Sequence, residues 1–232
     1  AKLGFSIEES TQRPFDQLGH LLNSVSRARL FDETLKLLAG GHAAVTFEKL
    51  RNFHLGPYLF APTLEAMKQA ELPWGKLIDL ALENTDKRLT MGKSVTPAFL
   101  FAAILWPVLK LHLTQPVSPG MNRHQHFIQA ANQTFLEQLN YTTIPRRVTS
   151  VSREIWELQY RLERKNKRSI EAAFSHPRFR AAYDFLLLRE QAGENLGALG
   201  QWWTDFQNGD TKRKIQMITA VSRPSKRRRK RT

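Results

Sequence analysis

Residues 146–168, RRVTSVSREIWELQYRLERKNKR, contain the pattern that decides the fold. Apolar residues recur in this stretch at intervals of three and four, which is the period of an amphipathic helix. They are Val148, Val151, Ile155, Leu158 and Leu162. One helix drawn through the whole stretch places five arginines opposite these residues, with Glu157 among them: Arg146, Arg153, Arg161, Arg164 and Arg168. The stretch therefore predicts a helix with one face on a core and a basic face toward solvent.

The same helical period runs through most of the chain, and no segment alternates as a strand would. Ser26 is placed to cap a helix, and Pro97 to begin one. The loop 115–120, QPVSPG, separates two groups of helices. We therefore expect an all-α bundle with two helical subdomains and a disordered basic tail. The predicted boundaries are 1–114, 121–208 and 209–232.

Residues 98–109 form an unbroken apolar run of twelve residues that contains Pro107. A helix that spans a bilayer needs about 20 residues, so this run is too short. A proline inside a helix bends it. The run therefore predicts a buried, kinked core helix, and we expect no transmembrane segment.

Positive charge increases toward the C-terminus. The chain has 35 Lys and Arg against 21 Asp and Glu, and a formal net charge of +14. Residues 1–140 carry 14 basic and 12 acidic side chains, whereas residues 141–190 carry 11 and 6. Seven of the ten residues in 223–232 are Lys or Arg. This distribution predicts a polyanionic partner.

Two separate basic elements favour RNA phosphates as the ligand, although a charged helix face by itself is more often only solvated. The candidate RNA-binding residues are Arg146, Arg147, Arg153, Arg161, Arg164, Lys165, Lys167, Arg168, Arg178, Arg180, Arg223, Lys226, Arg227, Arg228, Arg229, Lys230 and Arg231.

Residues 174–180, FSHPRFR, alternate aromatic and basic side chains, as single-strand binders do where bases stack beside a charged groove. Phe179, however, shares helical spacing with Tyr183, which favours a place in the core. The same argument predicts that at least one indole of Trp202 and Trp203 is in the core. Arg178 and Arg180 then remain as the contact candidates.

Signals for catalysis are missing. The sequence has no D-x-D pair, no His-Asp dipeptide, no Walker loop and no G-x-G-x-x-G run. His112, His124 and His126 have no carboxylate or Cys nearby in sequence, so we do not expect them to bind a metal. With no Cys, disulfides are excluded, which fits a reducing compartment. We predict no catalytic and no metal-binding residue in this chain.

Several segments resemble bacterial poly(A) polymerases of the tRNA nucleotidyltransferase and poly(A) polymerase superfamily, and they occur in the family's order. The longest is 176–189, HPRFRAAYDFLLLR. The others are AKLGF at 1–5, ARLFDETLKLL at 28–38, PAFLFAA at 97–103, IPRR at 144–147, Trp202-Trp203, Phe206 and the basic tail.

The resemblance covers only the C-terminal part of such an enzyme: the end of the neck helix, the helical body and the arginine-rich C-terminus. It implies a cytoplasmic parent enzyme that adds adenylates to RNA 3′ ends. Family members bind ATP and Mg²⁺ in an N-terminal head that this sequence lacks, so we expect no cofactor here and no activity from this chain alone. The expected partners are single-stranded RNA 3′ ends and that head.

Three alternatives remain at this point. A CCA-adding tRNA nucleotidyltransferase shares the neck signature, but the basic tail and residues 176–189 favour the poly(A) branch. A non-enzymatic helical adaptor would use residues 226–231 as a nuclear address, which leaves the other matches unexplained. A basic peripheral membrane protein would need an aromatic-faced amphipathic helix beside the tail, and none is present.

Overall fold

The computed structural model describes residues 3–69 and 74–222, and every regular element in these ranges is a helix. The all-α prediction is confirmed. The elements are α1 (Glu9–Gln12), α2 (Pro14–Leu18), a 3₁₀ helix (Gly19–Ser24), α3 (Arg27–Leu38), α4 (Ala43–Asn52), α5 (Pro57–Gln69), α6 (Trp74–Thr90), α7 (Pro97–Ile104), α8 (Trp106–Thr114), α9 (Arg123–Gln138), α10 (Arg146–Leu162), α11 (Lys167–Phe174), α12 (Phe179–Gln191), α13 (Leu199–Asn208) and α14 (Thr211–Ser222).

Helices α7 and α8 lie at the centre of the larger of two groups of buried residues. Almost every side chain from Ala98 to Leu109 is buried. The two helices meet at Leu105 with a bend of 45°, and Pro107 follows in the first turn of α8. The predicted buried, kinked segment is confirmed. In the described ranges no single helix is long and apolar enough to cross a bilayer, and these two reach that length only as a bent pair.

Helix α10 packs closely on α7 through two side-chain hydrogen bonds. The Ser152 hydroxyl donates to the Ala98 carbonyl at 2.8 Å, and the Trp156 indole N–H donates to the Ala102 carbonyl at 3.0 Å. Both side chains are buried, so an unpaired polar group at either position would be costly. These bonds therefore fix the position of α10 along α7.

The apolar face of α10 contributes to both groups of buried residues. Val148 and Ile155 belong to the first cluster, whereas Leu158 and Leu162 belong to a second cluster formed with α11 to α14. Burial of these four residues confirms the predicted face. Val151 is only half-buried, although it packs against the first cluster.

The sequence had predicted that the helix continues through the basic stretch after Leu162. In the structure it does not. α10 ends at Leu162, and Asn166 begins α11 by accepting a hydrogen bond from the Ser169 N–H at 3.0 Å. An Asn with such a backbone partner is a strong helix start. The prediction of one arginine face through residue 168 is therefore wrong beyond Leu162.

The prediction of a disordered tail from 209 is wrong for residues 211–222, which form α14. This helix packs against α11 and α13 and buries Met217, while Ile218 and Val221 pack against the second cluster. Apolar residues at this spacing supply the helix face that the basic composition obscured. Residues 223–232, the rest of the predicted tail, lie outside the described residues.

The predicted subdomain boundary at 115–120 stays a prediction, although the loop itself is present between α8 and α9. The buried residues are grouped differently from the predicted ranges. Phe127 and Ala130 of α9 belong to the first cluster, and the change from one cluster to the other falls within α10 and α12.

A buried arginine, Arg189 of α12, joins the helices where the two clusters meet. Its side chain is 1% exposed and donates to Glu163 and Glu194 at 2.8 Å and to Gln159 at 3.1 Å. The guanidinium also lies 4.9 Å from the centre of the Trp106 ring. Residues from α8, α10, α12 and the following segment are thus held by one side chain.

Neighbouring opposite charges keep both Arg189 and Glu194 ionised. Burial alone would lower the pKa of Arg189, but the hydrogen bonds and charges of Glu194 and Glu163 outweigh it and raise the pKa. Burial would likewise raise the pKa of Glu194, and Arg189 together with Lys110 lowers it instead. Each charge therefore depends on its partners to stay ionised in the interior.

Removal of the buried arginine should be strongly destabilising. In Arg189→Met, Glu163 and Glu194 lose their shared partner, and we expect the free energy of unfolding to fall by about 3–5 kcal/mol. Arg180→Met is the control, because the ion pair that Arg180 forms with Asp184 is exposed and should contribute about 1 kcal/mol or less. Urea unfolding at neutral pH measures both. Similar losses in the two variants would contradict the assignment.

The lowered pKa of Glu194 predicts a loss of stability in acid. A carboxylate whose folded pKa lies below its unfolded value stabilises the fold above the unfolded pKa and loses that effect as the pH falls through the folded one. The stability difference between wild type and Glu194→Gln should therefore be full at pH 7 and shrink below about 4.5. Urea unfolding from pH 7 to 3 measures it. A difference that does not change with pH would argue against this role.

Candidate nucleic-acid interface

An open groove with a volume of about 860 Å³ lies between the start of α9, the C-terminal half of α10 and the start of α11. Its lining is mostly polar and basic. The lining residues are Asn122, Arg123, His124, Glu157, Tyr160, Arg161, Arg164, Asn166, Arg168, Ser169 and Ala172. The structure thus brings together three of the predicted arginines, Arg161, Arg164 and Arg168, and adds Arg123.

Two asparagine side chains cap the helices that carry Arg123 and Arg168. The Asn122 side chain accepts hydrogen bonds from the backbone N–H groups of His124 and Gln125, and the Gln125 side chain accepts from the Asn122 N–H at 2.9 Å. This reciprocal pair fixes the first turn of α9, where Arg123 is the first residue. Asn166 caps α11 by accepting a hydrogen bond from the Ser169 N–H, and Arg168 in the first turn of that helix also lines the groove.

The Tyr160 ring connects two of the groove's arginines. The guanidinium carbon of Arg123 lies 4.7 Å from the ring centre and that of Arg164 lies 4.8 Å from it. Both distances are within the range of a cation–π interaction. Tyr160 is half-buried on α10, whereas Arg123 belongs to α9 and Arg164 to the connection before α11. The ring therefore links two parts of the groove that are distant in sequence.

The groove's arginines differ in how far a carboxylate neutralises them. Arg161 forms an ion pair with Glu157 at 2.6 Å. Within residues 3–69 and 74–222, no carboxylate lies within 4.0 Å of Arg123, Arg164 or Arg168. Three guanidiniums thus keep their charge and their N–H donors for an anion from outside.

Arg153 lies outside the groove. It is half-buried, hydrogen-bonded to Asn132, and 5.0 Å from the centre of the Phe135 ring. Burial lowers its pKa. The sequence had placed Arg153 on an exposed face, and this was right only in part, because Asn132 and Phe135 of α9 contact its side chain.

Arg178 and Arg180 are exposed, but each has an acidic neighbour. Arg178 lies 3.4 Å from Glu154, and Arg180 lies 3.0 Å from Asp184. Both ion pairs are largely accessible to solvent, so each is weak. These two predicted contact residues do not line the groove, and their charge is partly offset.

The other predicted contact residues that the structure describes lie at the start of α10 and around the start of α11. Arg146 and Arg147 are exposed at the start of α10, and Lys165 is exposed beside Arg164. Lys167 lies 3.9 Å from Glu171. The candidates Arg223, Lys226, Arg227, Arg228, Arg229, Lys230 and Arg231 lie outside the described residues.

The aromatic residues near α12 are mostly structural, as the spacing predicted. Phe179 is buried, and Trp203 is fully buried with its indole N–H donating to the Leu162 carbonyl at 3.1 Å. Phe174 is partly exposed, at 36%, with the Lys214 ammonium 4.9 Å from its ring centre. The predicted core roles of Phe179 and of one tryptophan are confirmed.

The sequence analysis missed Arg123 and Tyr160. The N-x-x-Q signature of Asn122 and Gln125 could have marked Arg123 as the first residue of a helix. Nothing in the local pattern shows that this residue meets Tyr160, because the contact is tertiary. Tyr160 could only have been noted as an aromatic residue on the polar side of α10.

The histidines do not form a metal centre in the described part of the chain. His124 lines the groove, and His112 Nε2 lies 3.1 Å from Glu137 Oε1. Among the described residues no three or more His, Cys, Asp or Glu side chains are grouped so that they could hold an ion. The described residues therefore offer no cluster of the kind that a two-metal centre needs.

Comparison with known proteins matches most of the chain. The family model described as "Polymerase A arginine-rich C-terminus" matches residues 119–232, and the one described as "Probable RNA and SrmB- binding site of polymerase A" matches residues 4–68. The arginine-lined groove falls within the first of these matches.

Curated relatives agree with the family models. Poly(A) polymerase I of Escherichia coli O6:H1 is 39% identical over 212 residues, covering 89% of this chain and 45% of that protein. The Salmonella typhi protein of the same name is 38% identical with the same coverage. That of Haemophilus influenzae is 33% identical over 228 residues, 96% of this chain and 50% of that protein. The chain spans about half the length of these relatives.

The arginine-lined groove therefore lies in a region that matches the arginine-rich C-terminus of a polymerase. The matches also decide between the branches that the sequence left open, since both family models describe a poly(A) polymerase. The chain belongs to the poly(A) polymerase family, and its relatives are poly(A) polymerase I proteins of bacteria.

Proposed function

We propose that this chain is the RNA-binding C-terminal part of a cytoplasmic poly(A) polymerase that adds adenylates from ATP to RNA 3′ ends, in mRNA polyadenylation and RNA decay. One observation carries the proposal: the groove holds three arginines without a carboxylate partner among the described residues, in a chain of this family. Such guanidiniums bind phosphates in bidentate fashion.

The groove suits the backbone of an RNA strand. Arg123, Arg164 and Arg168 come from α9, from the connection after α10 and from α11, so three segments contribute positive charge to one groove. Phosphate contacts of this kind release bound counterions, which makes the affinity depend on salt. They position the strand without reading its sequence. The body is thus proposed to hold many different RNAs along one path.

Catalysis belongs to another part of the enzyme in this proposal. ATP and Mg²⁺ would bind in a catalytic head, as the resemblance to the family implies. Two-metal phosphoryl transfer requires carboxylates that hold two ions about 4 Å apart. In this proposal the chain binds the RNA, and the head catalyses the transfer of the adenylate.

The N-terminal region offers a surface for that head. Leu3, Phe5, Leu18 and Leu21 are exposed by 69%, 73%, 51% and 52%. Four large apolar side chains exposed within the first 21 residues favour an interaction site in this region. We propose that the head or the preceding part of the neck packs there.

The groove is tested by RNA binding at several salt concentrations. In Arg164→Gln/Arg168→Gln, two phosphate contacts are lost, so the slope of log K against log[salt] should become less negative by about 1.4, since each contact with a single strand contributes about 0.7. Arg178→Gln/Arg180→Gln removes the same charge from arginines that already have acidic neighbours, and its slope should change less.

Two further results separate the groove from the tail. Deletion of residues 225–232 should weaken binding to all sequences and flatten the slope, whereas the groove variant should also move the sites of crosslinking along the RNA, because helices fix the strand's path. If Arg164→Gln/Arg168→Gln and Arg178→Gln/Arg180→Gln had equal salt slopes, the proposal that the groove contacts RNA would be wrong. No salt-dependent RNA binding by the wild-type chain would overturn the proposed function.

Activity provides a separate prediction. The purified 232-residue chain should not incorporate AMP into RNA with ATP and Mg²⁺, because its described residues provide no carboxylate site for the ions. Radiolabelled ATP and a single-stranded RNA primer measure this directly. Template-independent tailing by this chain would show that catalytic residues lie within it.

A further inference from the structure

The ring of Tyr160 lies within cation–π distance of two groups that should repel each other. Arg123 and Arg164 are both positively charged, and both guanidiniums lie within 4.8 Å of the same ring centre. Neither has a carboxylate within ion-pair distance among the described residues. The electron-rich face of an aromatic ring attracts a guanidinium and so offsets part of that repulsion. Tyr160 therefore stabilises two positive charges that an acidic side chain would otherwise have to balance.

This difference from a carboxylate matters for binding. A carboxylate would hold an arginine by engaging its N–H donors and cancelling its charge, as Glu157 does with Arg161 at 2.6 Å. A ring face holds the plane of the guanidinium while the N–H donors at its edge stay available. Arg123 and Arg164 are thus held in place with their charge and hydrogen-bonding capacity intact.

The ring is itself well supported. Tyr160 is half-buried, and its neighbours Gln159 and Leu162 on α10 are buried. The Gln159 side chain donates to the Ala182 carbonyl at 2.9 Å and accepts from Arg189 at 3.1 Å. The helix that carries the ring is therefore anchored to α12.

We propose that Tyr160 is a positioning residue that holds Arg123 and Arg164 as a pair, ready to bind phosphates of one RNA strand. This inference rests on the proposed RNA-binding function and adds a role for a residue that touches no phosphate. A free arginine loses conformational entropy of its side chain when a ligand immobilises it. On Tyr160 that loss has already occurred, so more of the phosphate interaction appears as affinity.

The test compares Tyr160→Phe with Tyr160→Leu in the full chain. Phenylalanine keeps the ring and should bind a 20-nucleotide oligo(A) like the wild type. Leucine keeps apolar bulk without the ring, and the affinity should fall about tenfold. The salt slope should not change in Tyr160→Leu, because every arginine is still present. Melting temperature and helicity, measured on both variants, show whether the fold is intact.

A double-mutant cycle shows whether Tyr160 acts through the arginines. In an Arg123→Gln/Arg164→Gln background, Tyr160→Leu should cause no further loss, since the ring then has nothing to hold. An equal further loss in that background would overturn the proposal. So would an unchanged affinity in Tyr160→Leu, or a Tyr160→Phe variant as weak as Tyr160→Leu, which would assign the effect to the hydroxyl.

Abasic RNA distinguishes positioning from base stacking. If the ring only positions arginines, Tyr160→Leu should lose the same factor on oligo(A) and on a sugar-phosphate strand of equal length. A loss confined to oligo(A) would mean that a base stacks on Tyr160, and the proposal would be wrong. Displacement of oligo(A) by polyglutamate of equal charge at equal concentration would also overturn it in favour of an acidic protein partner. Absence of RNA binding by the wild type would instead refute the proposed function.

Discussion

The buried ion pairs of Arg189 are the constraint on which the functional surface depends. Arg189 is 1% exposed and holds Glu163 at 2.8 Å, and Glu163 immediately precedes Arg164 of the groove. Moving a charge into the interior costs several kcal/mol, and only paired, hydrogen-bonded partners offset that cost. The same contacts therefore hold α10, α12 and the segment with Glu194 in one arrangement, and they fix the point where the chain leaves α10 toward the groove.

The exposed arginines of this protein fall into two groups, those paired with a carboxylate and those without such a partner among the described residues. Arginines such as Arg161, Arg178 and Arg180 have acidic neighbours and contribute little to the surface field, whereas Arg123, Arg164 and Arg168 meet in a groove without such partners among the described residues. The net charge of +14 alone would not separate these groups. The separation arises because two asparagine caps start new helices within polar sequence and turn their first arginines toward a common space.

The sequence predicted the helices well where apolar spacing decided them, as for the buried face of α10 and the bent pair α7 and α8. It failed where another part of the chain decided the outcome. A helical projection places Arg153 fully in solvent because it contains no information about α9, which contacts its side chain. A buried Arg189 cannot be recognised locally, since arginine is normally exposed and its partners come from other segments. The contact of Arg123 with Tyr160 is hidden for the same reason.

Helix α10 contributes buried side chains to both clusters. The two clusters therefore cannot move apart without exposing part of the apolar face of α10. Sharing of this kind makes a protein unfold as one cooperative unit. Backbone amides in the middle of α10 should then exchange with deuterium only through global opening. A force applied at the groove would therefore be resisted by both clusters together and not by a single helix.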